Sequence, residues 1–105
     1  IRLGAVEELG ADDLGNIAAW CARANVMEGV LSCATGAADS LFWGGNNDYR
    51  VALAFCAELS VDIAHACVRN LMGNMVYYQL DTKTRAAFCR DVPAAFRRDC
   101  AQKLL

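Results

Sequence analysis

One nine-residue pattern occurs three times along this 105-residue chain and constrains its fold more than any other feature. Each copy reads aspartate, five residues, alanine, an aromatic residue and cysteine, and the copies begin at Asp13, Asp48 and Asp81. The copies are 35 and then 33 residues apart. A fixed period of this length is typical of repeat proteins, in which each copy forms one small structural unit. We therefore expect a single domain of three units, the last of them a shortened terminal cap. The units run over about residues 13–47, 48–80 and 81–105.

Each unit is predicted to be a helical hairpin. Alanine-rich sequence after each repeat aspartate favours helix, and Asp13, Asp48 and Asp81 are predicted N-caps, because a short carboxylate accepts hydrogen bonds from the free N–H groups of a first turn. Apolar residues recur at three- and four-residue steps in the second half of the first two units, as on one face of a helix. The turn residues at 60–62 and Pro93 separate the helices of the last two units. The predicted fold is all-α, with three hairpins packed as a small bundle or short solenoid.

The six cysteines fall into three evenly spaced pairs. Eleven residues separate the first pair and ten separate each of the others. In an antiparallel hairpin, cysteines equally far from the turn lie at one level and can form a disulfide. The predicted bridges are Cys21–Cys33, Cys56–Cys67 and Cys89–Cys100. Such bridges point to an oxidising compartment.

The last two pairs also resemble a known pattern. The motif Cys56-x10-Cys67-x21-Cys89-x10-Cys100 is similar to that of the coiled-coil-helix-coiled-coil-helix proteins of the mitochondrial intermembrane space. The resemblance implies bridges Cys56–Cys100 and Cys67–Cys89, and a helical subunit of that compartment. The chain departs from this family in its wider spacing, its third pair, and the turn signals within each pair.

Several classes of function are disfavoured by the composition. The net charge of −2 does not suit a nucleic-acid partner. No segment approaches the ~20 apolar residues of a transmembrane helix. No C-x-x-C pair is present and His65 is the only histidine, so we predict no metal site and no cofactor. His65, three residues after Asp62, is the one candidate general base, and without a nucleophile we predict no catalytic residues and no enzymatic activity.

Charge is divided unevenly between the two parts of the chain. Residues 1–62 hold nine acidic and three basic residues, a balance of −6, whereas residues 63–105 hold three acidic and seven basic residues, a balance of +4. This asymmetry suggests complementary docking of the two ends, within an assembly or onto a partner. An ordinary solvated surface with a chance bias is the alternative.

Four aromatic residues are candidates for partner binding. Phe42 and Trp43 run directly into a Gly-Asn loop, and Tyr77 and Tyr78 occupy the corresponding region of the second unit. Aromatic side chains at the edge of a loop are typical of binding hot spots. The alternative is that they fill the groove between successive hairpins. The aromatic residues beside the first cysteine of each pair are predicted to be core: Trp20, Phe55 and Phe88.

The sequence therefore predicts a non-enzymatic interaction or structural module outside the cytosol, docking as an accessory subunit onto a larger protein assembly. The expected location is secreted or periplasmic, or the mitochondrial intermembrane space if the resemblance holds. The alternative function is transport of a small apolar, lipid-like ligand in a cavity between hairpins.

Overall fold

The computed structural model describes residues 9–105 and confirms the all-α class. Within this range the chain forms six α-helices and one short 3-10 helix, without a β-strand. The α-helices are α1 Ala11–Ala22, α2 Met27–Gly44, α3 Arg50–Cys56, α4 Val61–Tyr78, α5 Thr82–Asp91 and α6 Arg97–Leu104, and the 3-10 helix is Ala94–Phe96. No helix in this part of the chain has both the length and the apolar character needed to cross a bilayer.

Consecutive helices pair into three hairpins, α1 with α2, α3 with α4, and α5 with α6. The hairpins stack in chain order, because α2 packs on both α3 and α4, and α4 packs on α6. Helices α2 and α4 run parallel to each other: Asp39 contacts Asn70 and Asn74, and farther along both segments Asn47 contacts Tyr78. The second unit therefore lies between the first and the third.

Three disulfides close the hairpins, and each joins the two helices of one unit. The bridges are Cys21–Cys33, Cys56–Cys67 and Cys89–Cys100, as the repeat predicts. Their Cα–Cα distances of 5.3, 5.6 and 5.5 Å lie in the usual range for disulfides. The pairing implied by the mitochondrial resemblance, Cys56–Cys100 and Cys67–Cys89, is wrong. The turn before α4 divides the second pair between α3 and α4, which pack against each other, instead of placing both cysteines on one continuous helix.

The core lies between the hairpins and is built from apolar side chains of all three units. Its largest fully buried side chains include one phenylalanine from each unit, Phe42, Phe55 and Phe88. Among residues 9–105 no polar or charged residue is buried. Burial of side chains this large is worth about 1.5–3 kcal/mol each, so the interfaces between units hold much of the stability.

The three repeat aspartates play different roles at the helix ends. Asp81 is the N-cap of α5, as predicted, and its carboxylate accepts from the backbone N–H and the hydroxyl of Thr84 at 2.9 and 2.6 Å. Both bonds favour the ionised carboxylate and lower the pKa of Asp81.

The other two cap predictions are wrong. Helix α1 begins earlier than the repeat suggests: its N-cap is Gly10, and Asp13 is the third helical residue, whose carboxylate accepts the N–H of Gly10 at 2.9 Å. Helix α3 has Tyr49 as its N-cap, one residue after Asp48. Asp48 still accepts a first-turn N–H, that of Arg50 at 3.0 Å, and the Arg50 side chain bound to it lowers the pKa of Asp48.

The repeat aromatic residue is buried in two units and exposed in the first. Phe55 and Phe88 are core residues, as predicted, but Trp20 is 65% exposed, so its prediction as core is wrong. Phe88 packs on Tyr49 of the preceding unit, with ring centroids 5.1 Å apart. Within the described residues no unit precedes the first one. Trp20 therefore has no residue in the place that Tyr49 takes against Phe88.

Candidate interaction surfaces

Three of the four predicted binding aromatics lie together on the surface. Trp43 lies near the C-terminus of α2, and its side chain is 51% exposed. Tyr77 and Tyr78 are the last two residues of α4, and their side chains are 79% and 52% exposed. The rings of Trp43 and Tyr78 pack edge to face with centroids 6.0 Å apart, and those of Tyr77 and Tyr78 lie 6.5 Å apart. Leu80, two residues farther on, is also exposed. We call these four residues the aromatic patch.

Phe42 does not belong to this surface, and its prediction as a binding residue is wrong. Its side chain is fully buried in the main apolar core. Phe42 and Trp43 are neighbours on one helix, and successive helical positions point about 100° apart, so only one of them can face the core here. The pattern of aromatic residues in the sequence did not show which.

The backbone beneath the aromatic patch is held by side-chain hydrogen bonds from the adjoining loops and from α5. The Asn47 side chain donates to the carbonyl of Tyr78 at 3.2 Å, and the Gln79 side chain donates to the carbonyl of Asn47 at 2.8 Å. The guanidinium of Arg85 donates to the carbonyls of Val76 and Gln79 at 2.8 and 2.6 Å. The last turn of α4 is therefore capped from the third unit, and these bonds fix the backbone that carries Tyr77 and Tyr78.

A polar contact keeps α2 and α4 in register one to two turns before the patch. One carboxylate oxygen of Asp39 accepts from the side-chain amides of Asn70 and Asn74 at 2.6 and 2.7 Å. Sequence reasoning missed this site, because Asp39 belongs to the first unit and both asparagines belong to the second. Because it joins the two helices that carry Trp43 and Tyr77, it positions the patch as well.

His65 lies on an exposed part of α4, beside the third unit. Its ring packs edge to face on Phe96, with centroids 5.2 Å apart. A cleft of about 130 Å³ next to it is lined by apolar side chains and by Asp91. Between residues 9 and 105, no three His, Cys, Asp or Glu side chains come close enough together to hold a metal ion.

Surface clefts occur also in the first unit. One of about 320 Å³ lies over the first disulfide and is lined by Trp20, Arg23 and Cys33. The guanidinium of Arg23 sits 5.4 Å from the centroid of the Trp20 ring. Cys33 is half-buried, whereas the other five cysteines are buried, so this disulfide is the most accessible of the three.

Comparison of the chain with protein-family models, with curated proteins and with solved structures found no match.

Proposed function

We propose that this chain is a non-enzymatic docking module, an accessory subunit that binds a larger protein assembly through the aromatic patch. Its three disulfides indicate an oxidising compartment, because thiols are kept reduced in the cytosol. We expect the chain to act in a secreted or periplasmic setting.

The observation that carries this proposal is the exposure of Trp43, Tyr77 and Tyr78 on a fixed backbone. Tryptophan and tyrosine dominate binding hot spots because their large rings bury much apolar area for few rotatable bonds. A surface that is already ordered loses little conformational entropy on binding. The matching partner surface is an apolar pocket rimmed by hydrogen-bond acceptors for the tyrosine hydroxyls.

The geometry gives less support to transport of a small apolar ligand. Pockets for small molecules commonly measure about 300–1,000 Å³ and enclose the ligand. The apolar cleft beside His65 measures about 130 Å³, and the larger cleft of about 320 Å³ over the first disulfide lies open on the surface and encloses nothing. The space between the hairpins is filled by the side chains of the core. Docking of a protein is therefore our first proposal, and a carrier function would need the hairpins to separate.

The test begins with a photo-crosslinking amino acid at position 77, introduced into the full-length chain in cells that produce it. We expect a defined protein to be crosslinked from this position. The purified partner is then titrated with the wild-type chain and with Tyr77→Ser and Trp43→Ser. Loss of a hot-spot aromatic should weaken the Kd at least about tenfold, or about 1.4 kcal/mol.

The matched control is Val61→Ser at the opposite end of the same helix, where an apolar side chain is 72% exposed. The control should leave the Kd within about twofold of the wild type. The proposal is contradicted if positions 77 and 61 crosslink the same proteins, or if position 77 crosslinks none. It is also contradicted if Val61→Ser weakens binding as much as Tyr77→Ser does.

A further inference from the structure

Charge is segregated along the stack of units. Residues 9–47 hold four acidic residues and one basic residue, a balance of −3, whereas residues 81–105 hold three acidic and six basic residues, a balance of +3. The second unit lies between the other two, so these opposite charges lie at the two ends of the stack. The asymmetry noted in the sequence is thus an asymmetry of the folded molecule.

Within the described part of the chain, α6 of the third unit has an outer side that is solvent-exposed and basic. Helix α6 buries only Cys100 and Leu104 among its eight residues. The side chains of Arg97, Arg98 and Lys103 are all exposed. An α-helix at the end of a stack has one face on its neighbours and the other on solvent, and here the solvent face carries cations.

Few carboxylates neutralise these cations within the molecule. Of the three acidic residues of the third unit, Asp81 caps α5 and Asp91 accepts the hydroxyl of Tyr49, while Asp99 lies exposed on α6 and leaves this helix with three cations to one carboxylate. The one ion pair found between residues 9 and 105 is that of Arg50 with Asp48, in the second unit. The basic face of the third unit is therefore available to an external anion.

Among residues 9–105 nothing covers the outer face of the first unit, and the charge of this face is of the opposite sign. Helix α1 buries only Leu14, Ala18 and Cys21 among its twelve residues. Its exposed positions include Asp12 and the large apolar side chain of Trp20. Glu28, exposed in the first turn of α2, adds a second free carboxylate to this unit.

Trp20 occupies a repeat position whose side chain is buried in the second and third units. The equivalent residues Phe55 and Phe88 are fully buried, and Phe88 lies against Tyr49 of the unit before it. In the first unit the same position is Trp20, and no described unit precedes it in the stack. Exposed terminal faces of repeat proteins need polar side chains to remain solvated, and an exposed tryptophan is unusual for such a cap.

We propose that copies of this chain associate head to tail, with the third unit of one copy docked on α1 of the next. The basic end of the first copy, which carries Arg97 and Arg98, faces the acidic end of the second, which carries Asp12 and Glu28. Trp20 is covered in this contact, and the stack of hairpins continues from one copy into the next. Because the two surfaces are unlike, the contact can repeat and produce short chains or closed rings.

The test is sedimentation equilibrium on the full chain with its disulfides intact. At about 0.01 M salt we expect the average mass to rise with concentration from about 10 µM to about 1 mM, since electrostatic contacts of small area are weak. At about 1 M salt, where the Debye length falls from about 30 Å to about 3 Å, association should be strongly reduced. Trp20→Ser should reduce it at both salt concentrations.

Charge reversal gives the sharper result. The double variants Arg97→Glu/Arg98→Glu and Asp12→Lys/Glu28→Lys should each lower the association constant at least about tenfold. Mixed in equal amounts, the two should associate with each other, because each supplies the charge that the other lost.

Arg69→Glu, an exposed reversal in the middle unit, is the matched control and should change the association constant by less than about twofold. The Tyr77→Ser variant should also self-associate normally, since the aromatic patch is not part of this contact; failure of the docking proposal would leave this one standing. A wild-type chain that stays monomeric at all concentrations in low salt, or mixed double variants that do not associate, would overturn the proposal.

Discussion

The hydroxyl of Tyr49 donates a hydrogen bond to the carboxylate of Asp91, and this contact ties the second unit to the third. Tyr49 is the N-cap residue of α3, and Asp91 is the last residue of α5. The same tyrosine ring packs edge to face on Phe88, so the junction between units has a polar and an apolar component. Burial, together with the bond to Asp91, raises the pKa of Tyr49 to about 12.

Tyr49→Phe removes the polar component and keeps the ring. We expect the free energy of unfolding at pH 7 to fall by about 1.5–3 kcal/mol, the usual contribution of a hydrogen bond to a charged acceptor. Urea denaturation measures it, with Tyr77→Phe as the control, because the exposed Tyr77 should give a change below about 0.5 kcal/mol. Equal stability of the two variants would show that the bond to Asp91 contributes nothing.

The raised pKa of Tyr49 also predicts a dependence on pH. The folded chain holds the neutral phenol, so this contribution is fully present below pH 10.0, the ordinary pKa of tyrosine, and is lost as the pH rises through about 12. The wild type should therefore lose more stability than Tyr49→Phe between pH 9 and about pH 11. Parallel pH profiles of the two proteins would contradict this assignment.

The three disulfides are expected to be reduced in a fixed order. Cys33 is half-buried beside an open cleft, whereas both sulfurs of the other two bridges belong to buried residues. Thiolate attack requires access to a sulfur atom, so Cys21–Cys33 should open first under limiting reductant. Alkylation followed by mass spectrometry gives the order, and first labelling of Cys56 or Cys89 would contradict it.

Two glycines within the long helices can be replaced without a steric cost. A Cβ atom added at Gly36 or Gly73 would meet no atom within 4 Å. Because alanine restricts the unfolded chain and favours helix, each change to alanine should raise the free energy of unfolding by about 0.5–1 kcal/mol. Gly29→Ala is the comparison, since its Cβ would lie 3.1 Å from that of Ala24, and it should gain less. A loss of stability in Gly36→Ala or Gly73→Ala would show that the surface of these helices is less open than described.

The burial of Phe42 and the exposure of its neighbours predict opposite effects on stability. Phe42→Ala should cost about 3–5 kcal/mol, as expected for a buried phenylalanine, whereas Tyr77→Ser should change stability by less than about 0.5 kcal/mol. Chemical denaturation of both variants measures the difference. A large effect of Tyr77→Ser would mean that this side chain supports the fold, and would weaken its assignment to a binding surface.

What the sequence revealed depends on whether a feature is local to one unit or shared between units. The bridge Cys56–Cys67 joins two cysteines that are 11 residues apart in sequence, on either side of the turn between α3 and α4, and it was predicted correctly. The exposure of Trp20 depends on which unit precedes it, and its own repeat looks the same as the buried ones. The early start of α1, which moves Asp13 from the N-cap to the first turn, depends on residues 10–12, upstream of the repeat.

The aromatic patch was found only in part, for a related reason. Trp43 and Tyr78 lie close together because α2 and α4 run parallel, which the repeat implies. The rotation that buries Phe42 and exposes Trp43 is set by packing against α3 and α4. The hydrogen bond from Arg85 to the carbonyl of Val76 and the contact of Asp39 with Asn74 each join two different units. A sequence pattern within one unit cannot predict such contacts.

Peptide mapping without reduction tests the central claim, that each disulfide closes its own hairpin. Trypsin leaves Cys56 and Cys67 together in residues 51–69, while Cys89 and Cys100 fall in separate peptides. We predict an internally bridged peptide 51–69, which cleavage after Glu58 divides into two linked halves, and a separate link between the peptides of Cys89 and Cys100. A three-peptide species joining residues 51–69 to both of those cysteines, or free thiols at all six positions, would contradict the architecture.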